Sequence, residues 1–125
     1  MKQELRKQVW NKYDKHCAYC GNFLEYKDMQ VDHIVPQRMG HCYDSKVMKE
    51  YYKITGKTVD NFDNLNPSCR RCNHYKRAYT LDEFRRLIKI LNDKIQKTYL
   101  AKVAVDYGIL QFKPFDGVFY FEKFN

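Results

Sequence analysis

Two C-x2-C pairs, Cys17/Cys20 and Cys69/Cys72, bracket Val31-Asp32-His33, and Asn73 directly follows the last cysteine. These side chains divide into soft and hard donors. Thiolates two residues apart can both reach one ion, and two such pairs complete the tetrahedron that zinc prefers. A site closed by four thiolates has no open position, so its role is structural. Forty-eight residues separate Cys20 from Cys69, more than the roughly 15–20 of a zinc ribbon. A folded segment must therefore lie between the pairs. Two disulfides, a redox C-x-x-C and free core thiols are the rival readings. The odd count of five cysteines weakens a disulfide framework, and a redox motif does not account for two pairs. Cys42 is left over and reads as an ordinary buried thiol. His16, His41 and His74 lie near cysteines in sequence and leave a mixed Cys/His site open.

Asp32 is a hard oxygen ligand of the kind Mg²⁺ takes. His33 is the neighbouring side chain whose type titrates nearest neutrality, which suits a general base. The Asn73 amide oxygen is again a donor for a hard ion. Each residue alone has a plainer reading: an Asp-His pair before a proline is commonly a turn or a satisfied polar pair, and an asparagine can simply decorate a helix. Adjacent strand residues point to opposite faces, so Asp32 and His33 share a cleft only at its edge or where the strand is distorted.

Several elements must position these groups. Leu5, Val9 and Tyr13 recur at helical spacing beside Trp10, which predicts a helix over 2–15. Cys17-Ala18-Tyr19-Cys20-Gly21 is a knuckle in which Gly21 supplies a permissive backbone. Met29–Val35 reads as a strand stopped by Pro36. Residues 44–56 predict a short helix with Val47, Tyr51 and Ile54 on one face and Gly56 as its stop. The turn-rich Asn61–Pro67 stretch holds a short strand around Leu65, and Arg70–Ala78 reads as a helix opening at the second cysteine pair. Thr80-Leu81-Asp82-Glu83 is a capping box ahead of an apolar stripe of Leu81, Phe84, Leu87, Ile88, Leu91 and Ile95, predicting a helix that runs to Tyr107 before Gly108. Ile109–Lys113 and Val118–Phe124 flank Pro114-Phe115-Asp116-Gly117 and predict a C-terminal hairpin. The aromatic residues Phe112, Phe115, Phe119, Tyr120, Phe121 and Phe124 there read as core, with a partner surface as the alternative.

The chain has 125 residues, which predicts one domain over 1–125 with a core at 17–79 and an appendage at 80–125. Apolar residues at 44% and charged residues at 30% exclude a disordered chain. No apolar run approaches the ~20 residues of a membrane span, and Met1–Lys7 lacks an apolar signal core, so the expected compartment is the cytoplasm. The net charge is +8. Residues 1–79 carry 15 Lys/Arg against 9 Asp/Glu, and Arg70–Arg77 holds four cations and no acid. A cationic stretch set on the motif points to a polyanion such as nucleic acid; a solvated helix face is the plainer reading.

Taken together and in order, Cys17-x2-Cys20, Val31-Asp32-His33-Ile34-Val35-Pro36 and Asn64-Leu65-x-Pro67-x-Cys69-x2-Cys72-Asn73-x2-Lys76 resemble the HNH endonuclease family, the ββα-metal or His-Me finger nucleases, with an added four-cysteine zinc site. The resemblance covers about residues 17–77. It implies an α+β fold: a small ββα-metal core with structural zinc, flanked by helices and the C-terminal hairpin. It implies His33 as the general base that activates water against a DNA phosphodiester, and Asp32 and Asn73 as ligands of a catalytic Mg²⁺ or Mn²⁺. By the same resemblance Asn64 orients the base histidine and ties the two strands, and Lys76 meets phosphate or a neighbouring carboxylate. Arg70, Arg71, Lys76 and Arg77 are then the expected nucleic-acid contacts. Two features depart from the family pattern. Asn73 stands where the third motif residue is often histidine, and the stretch from Pro36 to Asn61 is long, with Met39-Gly40-His41-Cys42 in place of a glycine-rich turn. The alternatives are a non-catalytic zinc module that binds nucleic acid, or an accessory subunit of a phage packaging or defence complex; a protein partner or a dimer is compatible with each.

Overall fold

The computed structural model describes residues 1–124 apart from Gln37, Gly40, His41 and Asp44; Asn125 and the side chains of Arg38, Met39, Cys42, Tyr43, Ser45 and Val47 also lie outside the described residues. The expectations for Cys42 as a buried thiol, His41 near the metal and Val47 on a helix face fall there. The fold is α+β. In chain order its elements are α1 (Gln3–Asn11), β1 (Gln30–His33), β2 (Arg38–Met39), β3 (Cys42–Tyr43), α2 (Ser45–Thr55), β4 (Leu65–Ser68), α3 (Arg70–Lys76), α4 (Leu81–Gln96), α5 (Tyr99–Asp106) and α6 (Tyr120–Lys123). Two units divide the chain: Met1–Leu81 with Phe119–Asn125, and Asp82–Val118.

In the first unit β1 pairs antiparallel with β4, in the register Gln30↔Ser68, Val31↔Pro67, Asp32↔Asn66 and His33↔Leu65. Pro67 cannot donate to a ladder, and a two-stranded sheet tolerates it. Its carbonyl accepts the Ala18 N–H at 2.9 Å and so ties the first knuckle to the sheet. α1 lies beside this pair: Val9 is fully buried, and Trp10 Nε1 donates to the Leu24 carbonyl at 2.9 Å. α1 stops at Asn11 rather than near Lys15, because Asp14 and Lys15 take left-handed φ of +52° and +67° and turn the chain into the knuckle. α2 ends as expected ahead of Gly56, whose φ is +72°. Cys17, Ala18, Tyr19, Leu24, Met29, Val59, Leu65, Pro67 and Phe119 are also buried in this unit.

The second unit departs from expectation twice. The predicted helix to Tyr107 is two helices, because Thr98 adopts an extended backbone and its side chain caps α5 by accepting from Ala101 N–H at 3.2 Å. No strand forms among the described residues of 109–124, so the C-terminal hairpin is absent there. A turn does form at its expected place: Asp116 Oδ1 accepts from Val118 N–H at 3.0 Å, and Gly117 takes φ +86°. Beyond it the chain is drawn back into the first unit instead of pairing with itself. Tyr120 N–H donates to Tyr19 O at 3.2 Å and Phe121 N–H to Ala18 O at 2.7 Å. The apolar residues that resemble an alternating strand are spent on ring packing, with Phe119 and Phe121 set edge-on to Tyr19 at centroid distances of 5.4 and 5.9 Å.

Candidate functional site

Cys17, Cys20, Cys69 and Cys72 converge. Their sulfurs all lie within 4.8 Å of one another, and Cys20 Sγ is 3.8 Å from Cys69 Sγ. A tetrahedral site with metal–sulfur bonds of about 2.3 Å has edges of about 3.8 Å, so the cluster can hold a metal ion such as zinc. Backbone amides support the thiolates: Cys69 N–H donates to Cys17 Sγ at 3.3 Å and Cys72 N–H to Cys69 Sγ at 3.4 Å. Among the thiols, hydrogen bonds from Cys20 and Cys72 hold Cys17 far below the usual thiol range. The bond to Cys17 pushes Cys20 up to about 11, and bonds to Cys17 and Cys20 push Cys72 up as well. Crowded sulfurs resist sharing negative charge, and a divalent cation relieves that directly. No histidine joins this cluster among the described residues: His16 Nδ1 lies 2.8 Å from Asp14 O, with its ring against Tyr120.

The register carries the cluster's order into β1. Tyr19, inside the first knuckle, donates its hydroxyl to Asp32 Oδ2. Lys76, at the end of α3, places Nζ 3.2 Å from Asp32 Oδ2 and donates to His33 O at 2.9 Å. Asp32 is 5% exposed and Lys76 fully buried. Burial pushes the Asp32 carboxyl above its usual value, partly offset by the Lys76 charge and the Tyr19 hydrogen bond. Burial and the Asp32 charge push the Tyr19 hydroxyl well up in turn, so it stays a donor. A neighbouring carboxylate is one of the two partners the resemblance implies for Lys76, and Asp32 supplies it. Gln30 lies two residues before Asp32 on the same strand face, and it accepts a hydrogen bond from Asn73 Nδ2. Asp32 and Asn73 therefore belong to one β1–α3 interface. Asn66, paired with Asp32 across the sheet, is fully buried, and its amide lies close enough to Tyr19 to act on the hydroxyl that Tyr19 gives to Asp32.

His33 leaves the strand on the other face, as alternation requires. Its ring Nε2 lies 2.9 Å from Asp60 Oδ1, with the imidazole 21% exposed. Asp60 is a residue that no motif in the sequence marks. It sits in a turn 27 positions from His33, and aspartate in a turn is ordinary. Asn64, expected to orient His33 and tie the two strands, links the segment after β1 to the turn before β4 through backbone groups: Oδ1 accepts from Val35 N–H at 2.9 Å, and Nδ2 donates to Val35 O at 3.0 Å and Val59 O at 2.8 Å. Arg70, Arg71 and Arg77 are exposed around α3, whereas Lys76 faces inward. Beside the Arg70 end of the helix, Lys27, Gln30 and Cys69 help line a cavity of about 360 Å³.

No protein-family model and no curated protein matches the sequence. Among solved structures the chain is similar to the Type II-C Cas9 enzyme from Actinomyces naeslundii, with a TM-score of 0.48 and 19% identity, covering 82% of this chain and 10% of that one. A likeness this loose leaves function to the residues themselves. No helix among the described residues is long and apolar enough to cross a membrane.

Proposed function

We infer that the protein is a divalent-metal-dependent endonuclease of the HNH type that hydrolyses DNA phosphodiester bonds, by a nick or a double-strand cut. One observation supports this above the rest: the cysteine-clamped β1–β4–α3 unit joins Asp32 and Asn73 at one interface, and the next residue along β1 is a partly exposed, hydrogen-bonded His33. His33 takes the proton of the attacking water. Asp32 and the Asn73 amide oxygen are the ligands offered to Mg²⁺ or Mn²⁺, which when bound relieves charge on the phosphate and the leaving oxygen. A carboxylate has about four lone-pair sites; Tyr19 and Lys76 use part of that capacity at Asp32. Asn73 engages Gln30 through its amide nitrogen, so its oxygen remains the acceptor end. Arg70, Arg71 and Arg77 hold the phosphate backbone without reading its sequence. The thiol cluster suits a reducing compartment such as the cytoplasm.

A second function, a zinc-stabilised nucleic-acid-binding module or accessory subunit without its own catalysis, is favoured by the burial of Asp32 against Lys76. Nicking of supercoiled plasmid by the purified protein, with Mg²⁺ or Mn²⁺ and with chelator, separates the two. The wild type is expected to cut only with the divalent ion. His33→Ala is expected to lose at least about 100-fold in rate while folding and DNA binding persist. A wild-type protein that binds DNA and never cuts belongs to the second function; a His33→Ala protein that cuts at the wild-type rate removes His33 as the base.

A further inference from the structure

We propose that Asp60 is a positioning residue that fixes the tautomer and direction of the His33 imidazole, leaving Nδ1 as the atom that takes the proton. This rests on the nuclease function above and adds a residue to it. Asp60 Oδ1 lies 2.9 Å from His33 Nε2. A carboxylate accepts only, so Nε2 carries the hydrogen and Nδ1 keeps its lone pair.

The exposure of Asp60, 62% of its side chain, would by itself make such a pair weak. The backbone around it is what makes the pair specific. Val59, one residue before, is fully buried, and its carbonyl is held by Asn64 Nδ2 at 2.8 Å. Asn61, one residue after, donates its backbone N–H to Thr58 O at 3.2 Å, and its side chain both accepts from Asp63 N–H at 2.9 Å and donates to Tyr51 OH at 2.9 Å. The turn is thus pinned on both flanks of Asp60. Asn64 holds Val35 as well, two residues beyond His33. One buried amide therefore sets the distance between the strand end that carries the base and the turn that carries its orienting carboxylate. Asn64 acts on His33 through that spacing.

Asp60→Ala and Asp60→Asn test this against wild type and His33→Ala, using full-length zinc-loaded protein. The first readout is the two-bond ¹H–¹⁵N spectrum of histidine-labelled protein with the rings neutral; the second is plasmid cleavage. Wild-type His33 is expected as the single Nε2–H tautomer, identified by its absence in His33→Ala, and Asp60→Ala as a mixture of tautomers. Cleavage by Asp60→Ala should fall at least about tenfold in kcat with KM within about twofold, since Asp60 touches no substrate. Asp60→Asn, which keeps the shape but can donate to the ring, is expected to be no better than Asp60→Ala. An unchanged tautomer and an unchanged kcat in Asp60→Ala overturn the assignment. If the wild type cuts no DNA, the nuclease function falls on its own, and the spectrum still decides the pair: a mixed tautomer in wild type overturns it.

Discussion

A lysine with no exposed surface is the residue whose setting most constrains the site. Lysine is almost never fully buried unless paired, and Lys76 is paired with the Asp32 carboxylate and the His33 carbonyl. It fastens the last turn of α3 to the end of β1. Lys76→Met keeps the aliphatic stem and removes the charge, leaving the Asp32 carboxylate with Tyr19 alone. Breaking a buried pair from one side costs about 3–5 kcal/mol, and that loss is expected in urea unfolding near neutral pH. The sign of its pH dependence follows from Asp32. Burial already holds its carboxyl above the ordinary 3.8, and Lys76 is the largest opposing influence, so the substitution raises it further. A carboxyl raised by folding lends stability below its unfolded value, and that stability is lost as pH rises through the folded value. The deficit of Lys76→Met against wild type should therefore shrink as pH falls from about 7 toward about 4. A deficit that stays constant over that range would exclude the pair as its cause.

The two cysteine pairs act between elements. One pair belongs to the knuckle after α1; the other opens α3, where Cys69 is the N-cap. Cys72→Ser is expected to release the ion and unfold the first unit, because structural zinc contributes on the order of 10 kcal/mol in small metallodomains, as much as the whole stability of many domains. Metal content and thermal melting check it together: a zinc-free Cys72→Ser protein that melts with wild type would show the cluster is no clamp. The elements nearest the cysteines were also the most legible in the sequence, since spacing and punctuation define them: Pro36 after β1, Gly56 after α2, and the second pair at the start of α3. The end of α1 was hidden because non-glycine residues, Asp14 and Lys15, make the left-handed turn. The break at Thr98 was hidden because neither glycine nor proline announces it. Asp60 was hidden for a different reason. Only closure of the chain brings it to His33, and nothing in its local sequence distinguishes it from any other turn aspartate.

At the scale of the whole molecule, the chain leaves the first unit after Leu81 and re-enters it at Phe119. The returning segment closes over the first cysteine knuckle. Gly21 shows how tightly: a Cβ there would lie 2.9 Å from Tyr120 Cδ2, and its φ of +80° already disfavours a side chain. Phe119 is 2% exposed and packs edge-on against Tyr19, the residue that donates to Asp32. A chain of contacts thus runs from the C-terminal aromatics through the knuckle to the carboxylate beside the base. Phe119→Ala removes a buried ring and is expected to cost about 3–5 kcal/mol in urea unfolding. Its second effect should be on the metal. With Tyr19 flanked by Phe121 but no longer by Phe119, the Cys17–Cys20 loop loses part of its preorganisation, and zinc is expected to pass to a competing chelator faster than from wild type. Phe112→Ala, in the second unit and only half-buried, is the control that should leave zinc release unchanged. Equal release rates for Phe119→Ala and wild type would reduce the C-terminal segment to ordinary core packing with no hold on the metal site.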